Sequence, residues 1–531
     1  MNAFTGTGDL VRLAVRRDRI MLPAWLAVFV LMSAGSASAT VGLYPTVQSR
    51  VQASESFNQT QALVAFYGKV YDPTSLGALS MIKLGGFGSI FVAVLAILTM
   101  IRHTRAEEET GRLELVGATV VGRQAPLTAS LLVVVGANLA LAVVTALGLT
   151  AAGLPVDGSF AFGLAWAGVG IAFAAVAALA AQLTSSARAA IGLAVSFLGL
   201  VYLLRAIGDT ADQPGPRFLT WLSPIGWGQQ FRPYAGNRWW VLLITFGFAA
   251  LVTAGAYLLV ARRDLGAGLL PDRLGPASAG PGLRSPLGLA WRLQRGLLFA
   301  WIGGFAVLGL VLGNIASSVA GFVNNERARE IFERLGGAKG LTDMYLATIM
   351  GILGVAASAY GVQAALRLRA EETGQRAEPV LATGITRRAW VLSHTLVALL
   401  GTTVIVLVTG AAAGLSHGAR VGDMSQFGRV FGAALVQLPA AWVLTGIVVA
   451  GFGLGARVAT IGWVAFVGFV LLGELGPVFK LKQWVMDVSP FTHVPRLPGA
   501  TLTWTPLVTL TVVAVLLIVA GLAAFRRRDV G

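Results

Sequence analysis

The chain has 531 residues, of which 56% are hydrophobic and only 12% are charged, and its mean hydropathy is +0.75. A soluble globular protein carries about 25% charged residues, so this composition excludes a soluble enzyme, and it excludes disorder, which requires low hydrophobicity. The net charge of +16 would suggest nucleic acid on a soluble protein. In a membrane protein it reflects cytoplasmic Lys and Arg and attraction to anionic lipid, so we expect membrane lipid and no nucleic-acid partner.

Apolar runs of membrane-spanning length dominate the chain. A spanning helix needs about 20 mostly apolar residues, and charges are nearly absent from the centres of twelve such runs. The sequence therefore predicts an all-α polytopic membrane protein with twelve transmembrane helices. The predicted spans are 20–42, 81–101, 127–150, 159–182, 189–208, 239–261, 297–318, 343–366, 390–413, 428–455, 458–476 and 504–525.

The loops between these spans indicate an orientation. With the N-terminus inside, the inner segments hold 24 of the 40 Lys and Arg residues, at more than twice the density of the outer segments. Lys and Arg accumulate in cytoplasmic loops, so we expect both termini in the cytoplasm. The usage of Arg, Ala, Gly and Val is typical of a GC-rich bacterial genome, and we expect the chain in a bacterial plasma membrane.

The N-terminal residues resemble a cleavable signal, with Arg16 and Arg17 before an apolar run. The stretch 13–19 recurs at 289–295, however, and a mid-chain copy cannot be a signal. We therefore expect 20–42 to be an uncleaved first span. In both copies the preceding basic and apolar residues predict an amphipathic helix on the inner leaflet.

This repeat extends along the whole chain. The stretch 105–111 recurs at 369–374, and 262–266 recurs at 527–531. Each copy holds six spans, an even number, so the two halves enter the membrane in the same direction. We predict a first half at 1–263, a Gly- and Pro-rich cytoplasmic linker at 264–288 and a second half at 289–531.

A glutamate cluster follows the second span of each half. It could be a solvated helix start, because carboxylates favour the positive end of a helix dipole. It could also be a short helix whose carboxylates pair with Arg or Lys of another protein. Its occurrence in both halves favours docking and predicts a dimeric partner. The candidate residues are Glu107, Glu108, Glu109, Thr110, Gly111, Glu114 and Arg123, and in the second copy Glu371, Glu372, Thr373, Gly374, Glu378 and Arg387.

The sequence contains no pattern typical of a catalytic or metal site. It has no G-x-x-x-x-G-K-[ST] motif to hold a nucleotide phosphate, and its four His residues are scattered without ligand spacing. With no Cys, thiol catalysis is also excluded. We expect a transport protein without a cofactor or metal of its own rather than an enzyme.

The first acidic segment, 105–123, combines an acidic cluster, Gly111, Glu114 and a final Arg123. This pattern resembles the signature of ABC-2-type export permeases. The tandem layout is similar to the actinobacterial polyketide-antibiotic exporters, a group with tetronasin-type and multidrug efflux permeases. The second copy differs by one inserted residue and by Pro379.

This resemblance implies a type V ABC exporter-like fold of two parallel six-helix repeats. It also implies a separate ATPase homodimer, which carries ATP and Mg and binds coupling helices in 102–126 and 367–389. The segments 8–19 and 284–296 would be connecting helices. The second and fifth spans would line the path of a hydrophobic compound, as expected for antibiotic or drug efflux. Candidate lining residues are Phe87, Phe91, Phe197, Tyr202, Tyr360 and Phe469.

The fifth spans suggest a further feature. Aligning 203–208 with 471–476 places Arg205 and Glu474 at adjacent repeat positions near the outer face. If the two spans meet, these residues could form a salt bridge that closes an outer gate; otherwise each reaches water independently.

Two other function classes remain open. A proton-coupled multidrug antiporter also has six plus six spans, but it needs protonatable groups at membrane depth, and Glu474 is the one carboxylate well inside a predicted span. A scaffold or lipid-handling membrane protein is the third class. An ABC export permease is the function that the acidic segments favour.

Overall fold

A computed structural model describes residues 2–211, 215–264, 266–270, 275, 277–316, 337–475 and 482–529. These residues form helices and connecting turns, with no β-strand among them. The chain divides into two compact units, 1–275 and 276–531. The boundary falls within the predicted linker 264–288.

The first unit contains thirteen α-helices, a π-helical segment at Leu84–Gly88 and a 3₁₀ turn at Arg217–Leu222. The α-helices are α1 (Thr7–Asp18), α2 (Met21–Leu43), α3 (Val47–Gln59), α4 (Gln61–Tyr67), α5 (Leu76–Lys83), α6 (Ser89–His103), α7 (Arg105–Glu109), α8 (Arg112–Gly117), α9 (Ala125–Ala151), α10 (Val156–Leu183), α11 (Ala187–Thr210), α12 (Pro224–Gln230) and α13 (Val241–Val260).

The described part of the second unit contains ten further α-helices, with 3₁₀ turns at Pro281–Leu283, Val458–Thr460 and Pro490–His493. The α-helices are α14 (Pro286–Ala316), α15 (Gly337–Ala365), α16 (Arg367–Thr373), α17 (Ala377–Leu381), α18 (Arg387–Val421), α19 (Ser425–Leu435), α20 (Leu438–Leu454), α21 (Ile461–Leu475), α22 (Gln483–Met486) and α23 (Trp504–Arg527).

Eleven helical stretches among the described residues are long and apolar enough to cross a membrane. They coincide with eleven of the twelve predicted spans. The predicted span 458–476 instead corresponds to a shorter apolar helix, Val458–Gly473. Gly455 ends the preceding helix and a 3₁₀ turn follows it, and the described part of this helix runs to Leu475.

The connecting helices differ between the units. In the first unit, α1 ends at Asp18 and α2 begins at Met21, whereas α14 runs without a break through the predicted connecting segment 284–296 into the next span. Pro23 lies in the first turn of α2, where its ring would clash with the Arg19 carbonyl of a continuous helix. The repeat offset places Phe299 at the corresponding position of α14, so that helix can continue.

Small residues allow close helix packing in both units. A Cβ atom on Gly163 would lie 2.3 Å from the Ala142 carbonyl, and one on Gly313 would lie 2.3 Å from the Ala413 carbonyl. The pair Gly309 and Gly313, whose spacing predicts a packing face, therefore lies directly against α18. Close backbone approach through small residues is typical of helices that associate within a membrane.

Candidate functional site

Each acidic segment forms two short helices directly after a second span. In the first unit these are α7 and α8, and in the second they are α16 and α17. The turn between them needs one left-handed residue, which is Gly111 (φ 72°) in the first copy and Gln375 (φ 54°) in the second. The insertion in the second copy thus moves the turn by one residue, from a glycine to Gln375. A left-handed backbone conformation costs a residue with a Cβ atom about 1 kcal/mol.

The second glutamate of each segment forms the same ion pair in both units. Arg263 donates to both oxygens of Glu108, at 2.5 Å and 2.9 Å, and Arg528 donates to both oxygens of Glu372, at 2.6 Å and 2.7 Å. All four side chains are at least four-fifths buried. Arg263 uses two nitrogens, and such a contact fixes geometry more tightly than a single charge contact, whereas Arg528 reaches both oxygens from Nη2 alone.

A second arginine completes each arrangement. The Arg123 guanidinium donates to the Arg263 carbonyl at 2.6 Å, and the Arg387 guanidinium donates to the Arg528 carbonyl at 2.5 Å. We name this arrangement the glutamate clasp: Glu108, Arg263 and Arg123 in one unit, and Glu372, Arg528 and Arg387 in the other. It joins the acidic segment, the end of the sixth span and the start of the third span.

The other segment glutamates also have partners within the chain, and these differ between the units. Glu107 pairs with Arg17 of α1, whereas Glu371 pairs with Arg367 at 2.6 Å and with Arg376 at 3.1 Å. Glu109 accepts a hydrogen bond at 3.0 Å from the backbone N–H of Ala187, at the start of α11. These carboxylates therefore have partners within the chain, and their docking to another protein stays a prediction.

The following helices present the exposed carboxylates. Glu114 on α8 and Glu378 on α17 are exposed, as are Thr110 and Thr373 before them. Leu115 beside Glu114 is 74% exposed. An open cleft of about 410 Å³ separates α8 from the helix ends beneath it and is lined by Glu108, Arg123 and Arg263 together with apolar side chains. Gly374 precedes the displaced turn in the second copy.

The sequence carried a signal for the clasp that residue-by-residue reasoning missed. The repeat of 262–266 at 527–531 marks Arg263 and Arg528 as equivalent, just as Arg123 and Arg387 are equivalent. What the sequence does not show is that the end of the sixth span returns to the acidic segment. The sequence also does not identify Arg17 as the partner of Glu107, because this pairing depends on where α1 lies against α9.

The aromatic candidates of the first unit collect around α4. Phe87 stacks on Phe66 with ring centroids 4.8 Å apart and contacts Phe91 edge-on at 5.1 Å. The Tyr202 hydroxyl donates to the Phe66 carbonyl at 2.5 Å. Phe197 lies apart from this group, against Phe173. Phe87 of the second span and Tyr202 of the fifth span therefore meet at α4, and Phe91 joins them through Phe87.

Arg205 holds the same helix from the fifth span. Its side chain is fully buried, and its guanidinium donates to the carbonyls of Ala65 at 2.6 Å and Phe66 at 3.3 Å and contacts Asp209 at 3.3 Å. The side chain of Glu474 lies outside the described residues, so the gate pairing of Arg205 with Glu474 stays a prediction. The guanidinium already has a carboxylate partner one turn along its own helix.

The candidates of the second unit have different environments. Phe469 lines a cavity of about 530 Å³ between α15, α20, α21 and the segment 486–496. Tyr360 is instead fully buried against Trp301, with a ring-centroid distance of 6.0 Å, and its hydroxyl lies close to Gly401. Among the described residues, no group of three or more acidic or His side chains could hold a metal ion.

Comparison with known proteins places the chain in a family. A family model described as the C-terminal domain of the multidrug efflux system permease Rv1217c matches residues 9–259 and 283–526. The chain belongs to this permease family. It is 45% identical over 532 residues to the multidrug efflux system permease protein Rv1217c of Mycobacterium tuberculosis (strain ATCC 25618 / H37Rv), an alignment that covers 100% of this chain and 96% of that protein. Together with the eleven apolar helices, this shows a multi-pass membrane permease.

Proposed function

We propose that the chain is the membrane-spanning subunit of an ATP-driven exporter of hydrophobic compounds, powered by a separate ATPase homodimer. The observation that supports this best is the glutamate clasp, which fixes α7 and α16 at matching places in both units, directly before the short helices α8 and α17 that carry the exposed carboxylates. Two such helices suit a partner with two equivalent surfaces. In this proposal ATP and Mg bind to the partner, and the chain itself catalyses no reaction.

The clasp gives the proposal a route for mechanical coupling. Glu114 on α8 and Glu378 on α17 would pair with cationic residues of the ATPase. Because the clasp joins each acidic segment to the third and sixth spans, a displacement of α8 or α17 would move those spans together. Buried two-point ion pairs suit this role, since they resist a change in geometry more than exposed pairs do.

The proposal also covers the fold, the orientation in the membrane, the export path and the substrates. The fold would be the ABC-2-type, type V-like arrangement of two parallel six-helix repeats, in a bacterial plasma membrane with both termini in the cytoplasm. The second and fifth spans would line the export path. Drugs and polyketide-type antibiotics are the hydrophobic substrates that the family resemblance suggests, and their export would confer resistance.

The test is co-purification with an ATP-binding cassette ATPase, sought first among the products of the neighbouring genes. The double variant Glu114→Arg/Glu378→Arg reverses both exposed carboxylates, and we expect it to lose the ATPase and ATP-dependent efflux while keeping its unfolding temperature. Glu55→Arg on α3 is the matched control, because Glu55 is also exposed and lies outside the acidic segments. Retention of the ATPase by the double variant would refute the docking assignment.

Proteoliposomes separate this proposal from the proton-coupled alternative. With the ATPase present, we expect dye efflux to require ATP and to continue when a protonophore collapses the proton gradient. Efflux that stops with the protonophore and ignores ATP would favour the antiporter.

A further inference from the structure

The second unit contains a cavity that the clasp and the acidic segments do not involve. It is a half-open pocket of about 530 Å³, within the range of about 300–1,000 Å³ that holds small organic ligands. Its walls come from the second, fourth and fifth spans of that unit and from the segment 486–496. Phe466 and Phe469 form an aromatic side, and Ile352, Val355 and Val470 add aliphatic surface.

Two largely buried polar residues line this cavity. Gln437, the residue before α20, is 6% exposed, and Ser489 is 1% exposed. Sites for small molecules combine apolar walls with a few polar groups that fix the orientation of the ligand. The amide of Gln437 and the hydroxyl of Ser489 can serve as such groups here.

The comparable region of the first unit is filled. The space between its second span, its fourth span and its corresponding segment measures about 50 Å³, enough for a water molecule or two. Trp166 packs on Gly88 there, and its indole N–H donates to the Leu84 carbonyl at 3.0 Å. In the second unit, Gln437 packs on Gly354 in the same manner and leaves the cavity open beside it. The two units therefore differ in their capacity for a ligand.

We propose that the exported compound binds in the cavity of the second unit, and that this site selects amphipathic molecules with an apolar body and a hydrogen-bonding head. Phe466 and Phe469 contact the apolar body, and Gln437 and Ser489 bind the head. Arg496, which also lines the cavity and forms no ion pair among the described residues, favours heads with negative charge. This inference rests on the proposed function, because it takes the cavity as the site of the transported compound.

The natural absence of Cys makes a direct test possible. Phe469→Cys places a thiol in the cavity, whereas Leu471→Cys places one two residues along the same helix at a side chain that is 50% exposed and outside the cavity lining. Ile82→Cys reports on the small space of the first unit. Each variant is reconstituted in nanodiscs without an ATPase and labelled with a thiol-reactive fluorophore, so the result does not depend on ATP coupling.

The probes are anilinonaphthalene sulfonate, an amphipathic anion, and decane as an apolar control. We expect saturating anilinonaphthalene sulfonate to slow labelling of the thiol at 469 at least fivefold, with no change at 471 or 82 and a weaker effect of decane. Adding Gln437→Leu should weaken this protection at least threefold, and Gln437→Asn should restore part of it. Melting temperatures identify variants that fail to fold.

Equal labelling with and without the anion at 469 would overturn the site. Equal protection at 82 would overturn its restriction to the second unit, and protection that survives Gln437→Leu would overturn the role of that amide. If the site binds as expected while ATP-dependent efflux is absent, the proposed function fails and the cavity remains a binding site.

Discussion

Glu108 is the residue whose replacement tests the glutamate clasp most directly. Its side chain is 7% exposed and contacts two buried cations, Arg105 at 2.6 Å and Arg263 at 2.5 Å. Removing one partner of a buried ion pair costs about 3–5 kcal/mol. Arg105 also donates to the Ala181 carbonyl, and Arg263 also donates to the Gln182 side chain. These acceptors would still stabilise part of the two positive charges after Glu108 is replaced. We therefore expect Glu108→Gln to lower the free energy of unfolding by about 3 kcal/mol, the low end of that range.

Tryptophan fluorescence during denaturant unfolding in detergent measures this change. Comparing Glu108→Gln, Arg263→Gln and the double variant gives the coupling free energy, which we expect to exceed about 1 kcal/mol for residues in direct contact. Glu114→Gln is the control, because an exposed carboxylate without a clasp partner should change stability by less than about 0.5 kcal/mol. Additive effects of the two clasp variants, or an equal loss in Glu114→Gln, would refute the reasoning.

Two further predictions concern the opposite end of the first unit. Arg205→Gln removes the donors to the Ala65 and Phe66 carbonyls, so backbone amides of α4 should exchange hydrogen at least tenfold faster while those of α9 do not change; unchanged α4 exchange would contradict this anchoring. Burial raises the pKa of Tyr234 to about 12, so its contribution to stability is complete below pH 10 and is lost as pH rises from 10 to 12. In Tyr234→Phe the denaturant midpoint of unfolding should therefore fall less between pH 10 and pH 12 than in the unaltered protein. An equal fall in both proteins would show that other groups cause the loss of stability.

Hydropathy predicts the spans well because length and apolarity are local properties of the sequence. Eleven predicted spans coincide with long apolar helices, and the remaining one corresponds to a shorter apolar helix within the described residues, Val458–Gly473. The break after α1 was also readable, since Pro23 has no counterpart in α14. Helix ends were less predictable: α18 extends to Val421, beyond the predicted limit at 413, because no residue before Gly422 terminates it.

The sites were only partly predictable because their contacts join distant segments. Repetition identified Glu108 and Glu372 as equivalent, but their burial depends on the return of Arg263 and Arg528 from the sixth spans. Similarly, the second-span and fifth-span aromatics stay a prediction as path-lining residues, and composition cannot show that Phe87 and Tyr202 both contact Phe66 of α4.

The two units illustrate how repeat copies can keep one function and diverge in another. The clasp uses the same residue types at matching positions, as expected if both copies must respond alike to one symmetric partner. The spaces near the opposite end differ about tenfold in volume, 50 Å³ against 530 Å³. A symmetric motor needs equivalent attachment points, whereas a single exported molecule needs only one site. Under the proposed function, an alike glutamate clasp and unlike spaces for a ligand are therefore the pattern expected of an exporter built from a tandem repeat.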